Sequence, residues 1–196
     1  MGSTRLPGKV MKELCKKPVL WHVIERCKNC IYINDVIVAT SNNPEDDLIA
    51  KFCSINNILY FRGDSQDVLA RYHDTAKKFR SEIIVRVTSD CPLIDPFIID
   101  YLIKQYQKSK DDYDYISNCQ YRNFPRGLDC EIFSMKALEI ANKLATTNHE
   151  REHVTPYIIE NLRVDKYIMP KAYIGNFRLT LDEINDLKLF ENIYRK

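Results

Sequence analysis

The stretch DVIVATSNNPEDDLIAKFCSINNILYFRG, residues 35–63, decides the fold. Its opening residues 35–40 are short, β-branched and apolar, the pattern of a strand buried on both faces. Residues 45–55 read as a helix, and residues 58–61 as a second strand of the same kind. A strand, a helix and a strand in sequence make the unit of a parallel sheet.

The alternation continues in both directions. Upstream, residues 18–30 place Leu20, Val23, Ile24 and Cys27 at helical spacing. Downstream, residues 67–79 set Val68, Leu69, Tyr72 and Ala76 on one helix face. Residues 83–87 (IIVRV) form a third buried strand, and residues 96–106 a helix with Pro96 in its first turn. Strands are expected at 114–117 and 130–133, and helices at 135–144 and 152–162. Late strands are expected at 167–169 and 178–181. Asp182 and Glu183 then open a last helix with Ile184, Leu187, Phe190 and Ile193 on its face. The expected architecture is α/β, a mostly parallel sheet sandwiched by helices, in one domain over residues 1–196. Ligands of such sheets bind at the carboxyl ends of the strands. Segments 41–43, 62–67 and 88–95, together with Asp182, are therefore the expected site.

Composition narrows the function. Hydrophobic residues are 45% and charged residues 29% of the 196, an ordinary globular balance. The net charge of +2 is too small for a protein that coats nucleic acid. It is uneven, with a local +5 over residues 1–30, which suits a small phosphorylated ligand near the amino terminus. No apolar run approaches the roughly 20 residues of a membrane span. Seven scattered cysteines without an apolar leader read as reduced thiols, so a cytoplasmic protein is expected.

Five short motifs carry candidate chemistry. GSTRLPGK (2–9) brings small residues and two cations to one loop, fit to approach an anion. It is not a P-loop, because Val10 follows Gly8-Lys9 where Ser or Thr is required. VTSDCPLID (87–95) places Asp90 directly after a strand, where a Mg²⁺ ligand would sit, while Asp95 before Pro96 suits a helix cap. LTLDEIND (179–186) places Asp182 likewise, with capping as its plainer role. HEREH (149–153) satisfies two zinc-protease patterns, but Pro156 lies three residues past His153 and would break the long helix they need. CKNC (27–30) is a lone pair at a helix end, which favours buried structural thiols over redox chemistry.

Eight collinear strings together resemble one family. They are MGSTRLPGKV (1–10), KPVLWHVIERC (17–27), VIVATSNNPEDD (36–47), FRGDSQDVLARY (61–72), VRVTSDCPLIDP (85–96), FPRGLDCEIFS (124–134), EREHVTPYI (150–158) and RLTLDEINDLKLFENIY (178–194). The resemblance is to the cytidylyltransferases that activate acidic sugars, in the branch called spore-coat polysaccharide biosynthesis protein F. It implies a Rossmann-like nucleotide-diphospho-sugar-transferase fold, and a reaction in which CTP and a 2-keto sugar acid give a CMP-sugar and pyrophosphate. It further implies that Gly2, Ser3, Thr4, Arg5 and Lys9 form the nucleotide loop, with Arg5 and Lys9 on the triphosphate. Asp90 and Asp182 would hold Mg²⁺. Arg62, Asp67 and Arg71 would lie at the nucleotide side. Arg126, Asp129, Glu131, Arg151, Glu152 and His153 would line the sugar side, with Arg126 and Arg151 suited to the sugar's carboxylate. A homodimer is likewise implied by the resemblance.

The chain departs from the family in three places. Relatives begin with a strand ending in Gln-Ala-Arg just before the loop; here the first strand is absent. Open strand edges and bared apolar surface are expected in consequence, from a start misplaced at an internal methionine or a truncated gene copy. Lys16 and Ser89 stand where relatives have glycine. Lys16 falls in a turn, whereas Ser89 would be strained if its φ were positive. Two other readings stand beside an active enzyme: an inactive, truncated binding or scaffold subunit, and a nucleotidyltransferase for another nucleotide.

Overall fold

The computed structural model describes residues 3, 5–120, 124–165 and 177–195. A short hairpin leads, β1 (Glu13–Leu14) and β2 (Lys17–Pro18), and α1 (Val19–Lys28) follows it. The first alternating unit is β3 (Ile37–Ser41), α2 (Asp47–Ile55), β4 (Leu59–Gly63) and α3 (Val68–Lys78). The second runs β5 (Ile83–Arg86), α4 (Pro96–Ser109), β6 (Tyr115–Ser117), β7 (Glu131–Ser134) and α5 (Met135–Leu144). Then come α6 (Asn148–His153), α7 (Pro156–Asn161) and α8 (Ile184–Tyr194).

β3 and β4 pair in parallel, Ile37 opposite Leu59 and Ser41 opposite Gly63. β7 lies between β5 and β6, antiparallel to both, so β5 and β6 run the same way. Val164 extends that order with a parallel bridge to Tyr115. β7 is thus the reversed strand of the β5–β7–β6 sheet. Helices cover both faces. Leu20 and Ile24 of α1 pack with Ile49 and Cys53 of α2 over Val38, while Val23 packs with α4 over Val85 and Val87. On the other face, Leu69 and Ala76 of α3 join α5 over Ile84 and Phe133.

Several details depart from the sequence reading. The helix expected at 152–162 is broken in two, because Val154 turns left-handed (φ 74) after α6 and Pro156 restarts the chain as α7. The strand expected at 178–181 is one bridge, Arg126 to Arg178. The strand expected at 167–169 lies outside the described residues. The β1–β2 turn puts both Cys15 (φ 49) and Lys16 (φ 68) in the left-handed region, as a two-residue hairpin turn requires. Ser89 is not among the described residues with positive φ, so it carries no such strain.

Candidate active site

The amino-terminal loop and the far end of the chain meet over the sheet. Leu6, Leu14 and Val19 share a buried cluster with Leu181, Leu187 and Phe190. That packing brings segment 179–186 against the loop after β5, where the Leu181 N–H donates to the Asp90 carbonyl at 2.8 Å. Gly8, left-handed at φ 67, turns the chain into a short 3₁₀ helix that starts at Lys9.

Lys9 then stands between two carboxylates. Its Nζ donates to Asp90 Oδ2 at 2.7 Å and to Asp182 Oδ1 at 3.2 Å. Arg5 reaches Asp182 Oδ1 at 3.1 Å. Arg178 bridges Asp182 Oδ2 at 3.3 Å and Asp186 Oδ1 at 2.6 Å. Three cations therefore meet three carboxylates, a neutral cluster with little solvent around Lys9, Asp90 and Asp182. Burial works against ionisation of Asp90, but hydrogen bonds from Lys9 and Thr88 outweigh it and hold the carboxyl below its ordinary range. Burial likewise opposes the Lys9 charge, and Asp90 and Asp182 reverse that and raise it.

Capping separates the acidic residues. Asp95 caps α4 by accepting from the Phe97 N–H at 2.9 Å. Asp182 has no capping duty, because Glu183 is the amino-terminal cap of α8 and exchanges hydrogen bonds with Asp186. Asp186 also accepts from the Asp182 N–H at 2.8 Å, which fixes the backbone that presents Asp182. Asp90 and Asp182 thus converge on one cation, and the oxygens of Asp182 are shared with Arg5, Arg178 and Thr180. That donor set, two carboxylates beside a phosphate-sized opening, is what Mg²⁺ takes.

A cavity of about 220 Å³ adjoins the cluster, lined by Ser3, Lys9 and Ser89 and by the carboxyl end of β3 at Thr40 and Ser41. This matches the position expected for a ligand of an α/β sheet. Arg71 lines it too, and its buried Nε has no hydrogen-bond partner. Asp46 also lines it; sequence reading passed over this residue. Its buried carboxylate accepts from Thr40 Oγ1, the Ser41 N–H and Ser41 Oγ, and so holds the end of β3. An acidic residue five positions past a buried strand was the available signal.

The other expected residues fall into separate places. Gly2 and Thr4 lie outside the described residues. Arg62 pins the loop after β3, through Ser41 O at 2.9 Å, Asn43 O at 2.9 Å and Asp47 at 2.7 Å. Asp67 caps α3 and pairs with Arg151, whose guanidinium also donates to Asn142 O and Oδ1. The fork expected to receive a substrate carboxylate is therefore already occupied by Asp67. Glu131 is buried on β7, paired with Arg86 and accepting from Tyr115 OH at 2.8 Å and Thr155 Oγ1 at 2.7 Å. Its oxygens serve the sheet and the start of α7. Glu152 and His153 are exposed on α6. The Glu150 carboxylate closes a capping box with Thr147, so it is no base between His149 and His153.

Arg126 is exposed, and Asp129 half-buried, on the segment that approaches the Asp182 strip. Leu179 N–H donates to Arg126 O at 2.6 Å, and the Arg126 N–H donates to Phe177 O. Gly127 makes this approach feasible: its φ is +100, and a Cβ would lie 2.2 Å from the Leu179 carbonyl oxygen.

The family model described as cytidylyltransferase matches residues 1–189. An uncharacterized protein of Methanocaldococcus jannaschii is 38% identical, over 96% of this chain and 77% of its own length. The spore coat polysaccharide biosynthesis protein SpsF of Bacillus subtilis is 30% identical, over 100% of this chain and 83% of its own. A solved cytidylyltransferase from Leptospira borgpetersenii superposes with a TM-score of 0.90 at 35% identity, covering 97% of this chain and 81% of that one. No helix among the described residues is long and apolar enough to cross a membrane.

Proposed function

Because the chain belongs to the cytidylyltransferase family, we propose that it transfers CMP from CTP to an acidic 2-keto sugar, releasing pyrophosphate, in the assembly of a surface polysaccharide. The observation that carries this reading is the convergence of Arg5, Lys9, Asp90 and Asp182 at the carboxyl ends of the strands, beside a cavity.

Nucleotidyl transfer needs in-line positioning and charge neutralisation more than covalent chemistry. A hydroxyl of the sugar attacks the α-phosphorus and gives up its proton to a carboxylate or to water. The new O–P bond forms as the bond to the bridging oxygen breaks, and the electron pair leaves with pyrophosphate. Asp90 and Asp182 would hold Mg²⁺, which supplies charge neutralisation at the α-phosphate. Lys9, between the two carboxylates, would hold the triphosphate. Arg5, the more exposed partner of Asp182, takes the departing pyrophosphate. Arg71, which lines the cavity, would stand beside the nucleotide. Arg126, exposed and uncommitted in its described contacts, replaces Arg151 as the guanidinium for the sugar's carboxylate.

Asp90→Asn tests the assignment. It should abolish turnover while the circular dichroism spectrum stays that of the parent; retained turnover removes Asp90 from the metal role. Thermal shifts with CTP, UTP and GTP then decide the base, and a larger shift with UTP or GTP would redirect the substrate.

A further inference from the structure

The loop of residues 88–95, which presents Asp90, is held from outside at three of its carbonyls. The Asp90 carbonyl accepts from the Leu181 N–H at 2.8 Å. The Ile94 carbonyl accepts from Arg26 Nε, in the last turn of α1, at 2.7 Å. The Pro92 carbonyl accepts from the Tyr194 hydroxyl, at the end of α8, at 2.6 Å. Inside the loop, the Cys91 N–H donates to Thr88 O and the Ile94 N–H to Cys91 O, so Asp90 rides on two tight turns. Cys91 and Ile94 seat these turns in the cluster shared with α4, and Leu93 packs on the cluster of Leu181 and Phe190. Pro92 has no N–H, so its carbonyl is the one backbone group by which that residue can be held.

Tyr194 is itself held in place. Its ring packs on the cluster of Leu181 and Phe190. It also lies 4.5 Å from the His22 ring, tilted by 56°. His22 is buried in α1, and its Nε2 lies 2.7 Å from the Leu14 carbonyl. A carbonyl only accepts, so Nε2 carries the proton and donates. Leu14 belongs to β1, the strand that follows the turn at Lys9. One chain of contacts therefore runs from β1 through His22 and Tyr194 to Pro92. It joins the segment that carries Lys9 to the segment that carries Asp90, independently of their 2.7 Å ion pair.

We propose that Tyr194 is a positioning residue for Asp90: its hydroxyl fixes the Pro92 carbonyl, and through it the turn that aims the Asp90 carboxylate at a divalent cation, while His22 keeps the Tyr194 ring in place. The proposal rests on the reading of Asp90 as a metal ligand. Tyr194 reaches only a backbone carbonyl, so it acts through the loop. Mg²⁺ demands near-ideal octahedral geometry at about 2.0–2.1 Å. Two carboxylates on separate segments meet that demand only while their spacing is fixed, and a turn freed at Pro92 loosens it.

The test is Tyr194→Phe, which keeps the ring, its packing and the His22 contact and removes one hydroxyl. Mn²⁺ binding without nucleotide, read by electron paramagnetic resonance of the free ion, should weaken about fivefold, the equivalent of about 1 kcal/mol. Tyr106→Phe is the control. It also removes a tyrosine hydroxyl, one bonded to Ser134 from the last turn of α4. It should lower the melting temperature and leave Mn²⁺ binding at the parent's value. In an Asp90→Asn background, Tyr194→Phe should have no further effect on Mn²⁺ binding. Unaltered binding in Tyr194→Phe, where Asp90→Asn weakens it, overturns the proposal and leaves the metal reading standing. Equal losses in Tyr194→Phe and Tyr106→Phe also overturn it, since the effect would then follow stability alone. Unaltered binding in Asp90→Asn overturns the metal reading, and the proposal with it.

Discussion

Replacing Lys9 by methionine separates the two parts that this side chain plays. In the absence of nucleotide the ammonium occupies the space between Asp90 and Asp182, at 2.7 and 3.2 Å. A divalent cation held by both carboxylates would have to displace it. Each charge-assisted hydrogen bond is worth about 1.5–3 kcal/mol when fully shielded. These groups retain some solvent access, so about 1.5 kcal/mol in all is the appropriate scale for the displacement. That corresponds to about tenfold in affinity. Lys9→Met should therefore bind Mn²⁺ about tenfold more tightly than the parent without nucleotide, as read by electron paramagnetic resonance of the free ion. The same variant should lose turnover, because the triphosphate loses a cation. Unchanged or weaker Mn²⁺ binding would refute the claim that Lys9 holds the metal's place.

The pH dependence of that variant has a defined sign. Asp90 is held ionised below its ordinary range, so its contribution to stability is present above about pH 4 and is lost as pH falls through the depressed folded value. The stability gap between parent and Lys9→Met, measured by urea unfolding, should be full at pH 7 and close toward pH 3; a gap independent of pH contradicts it. Glu131→Gln leaves Arg86 buried without its counter-charge and should cost about 3 kcal/mol. A loss under 0.5 kcal/mol would show instead that Glu131 is free for substrate. Gly127→Ala should destabilise by about 2 kcal/mol or more, since its Cβ meets the Leu179 carbonyl and its φ is +100. A neutral result there would mean that the 124–129 segment does not need its close approach to 177–181. Arg151→Met should lower stability through Asp67 and Asn142 and leave KM for the sugar unchanged; a selective rise in KM returns Arg151 to the sugar side.

Regular elements with strong periodicity were legible in the chain. The βαβ unit of residues 35–63 and the helix starting at Pro96 follow from apolar period and proline placement alone. Asp90 and Asp182 stood out because each follows an apolar stretch, and the structure brings both to Lys9. What sequence could not carry was pairing across the chain. Nothing local marks that Arg151 turns to Asp67, 84 residues away, or that Glu131 turns inward to Arg86. Charged residues near a site look alike until their partners are placed. The turn at Lys16 was expected, but not that both Cys15 and Lys16 are left-handed, because these residues lack the Asn-Gly chemistry that announces such a turn. The reversed direction of β7 is set by tertiary packing and leaves no mark on its apolar pattern.

Release of pyrophosphate from CTP is the most direct measure of the central claim. With Mg²⁺ and a panel of 2-keto sugar acids, the account predicts release that requires both the nucleotide and one of the acids, and that vanishes in Asp90→Asn. Absence of release with every acid would contradict it.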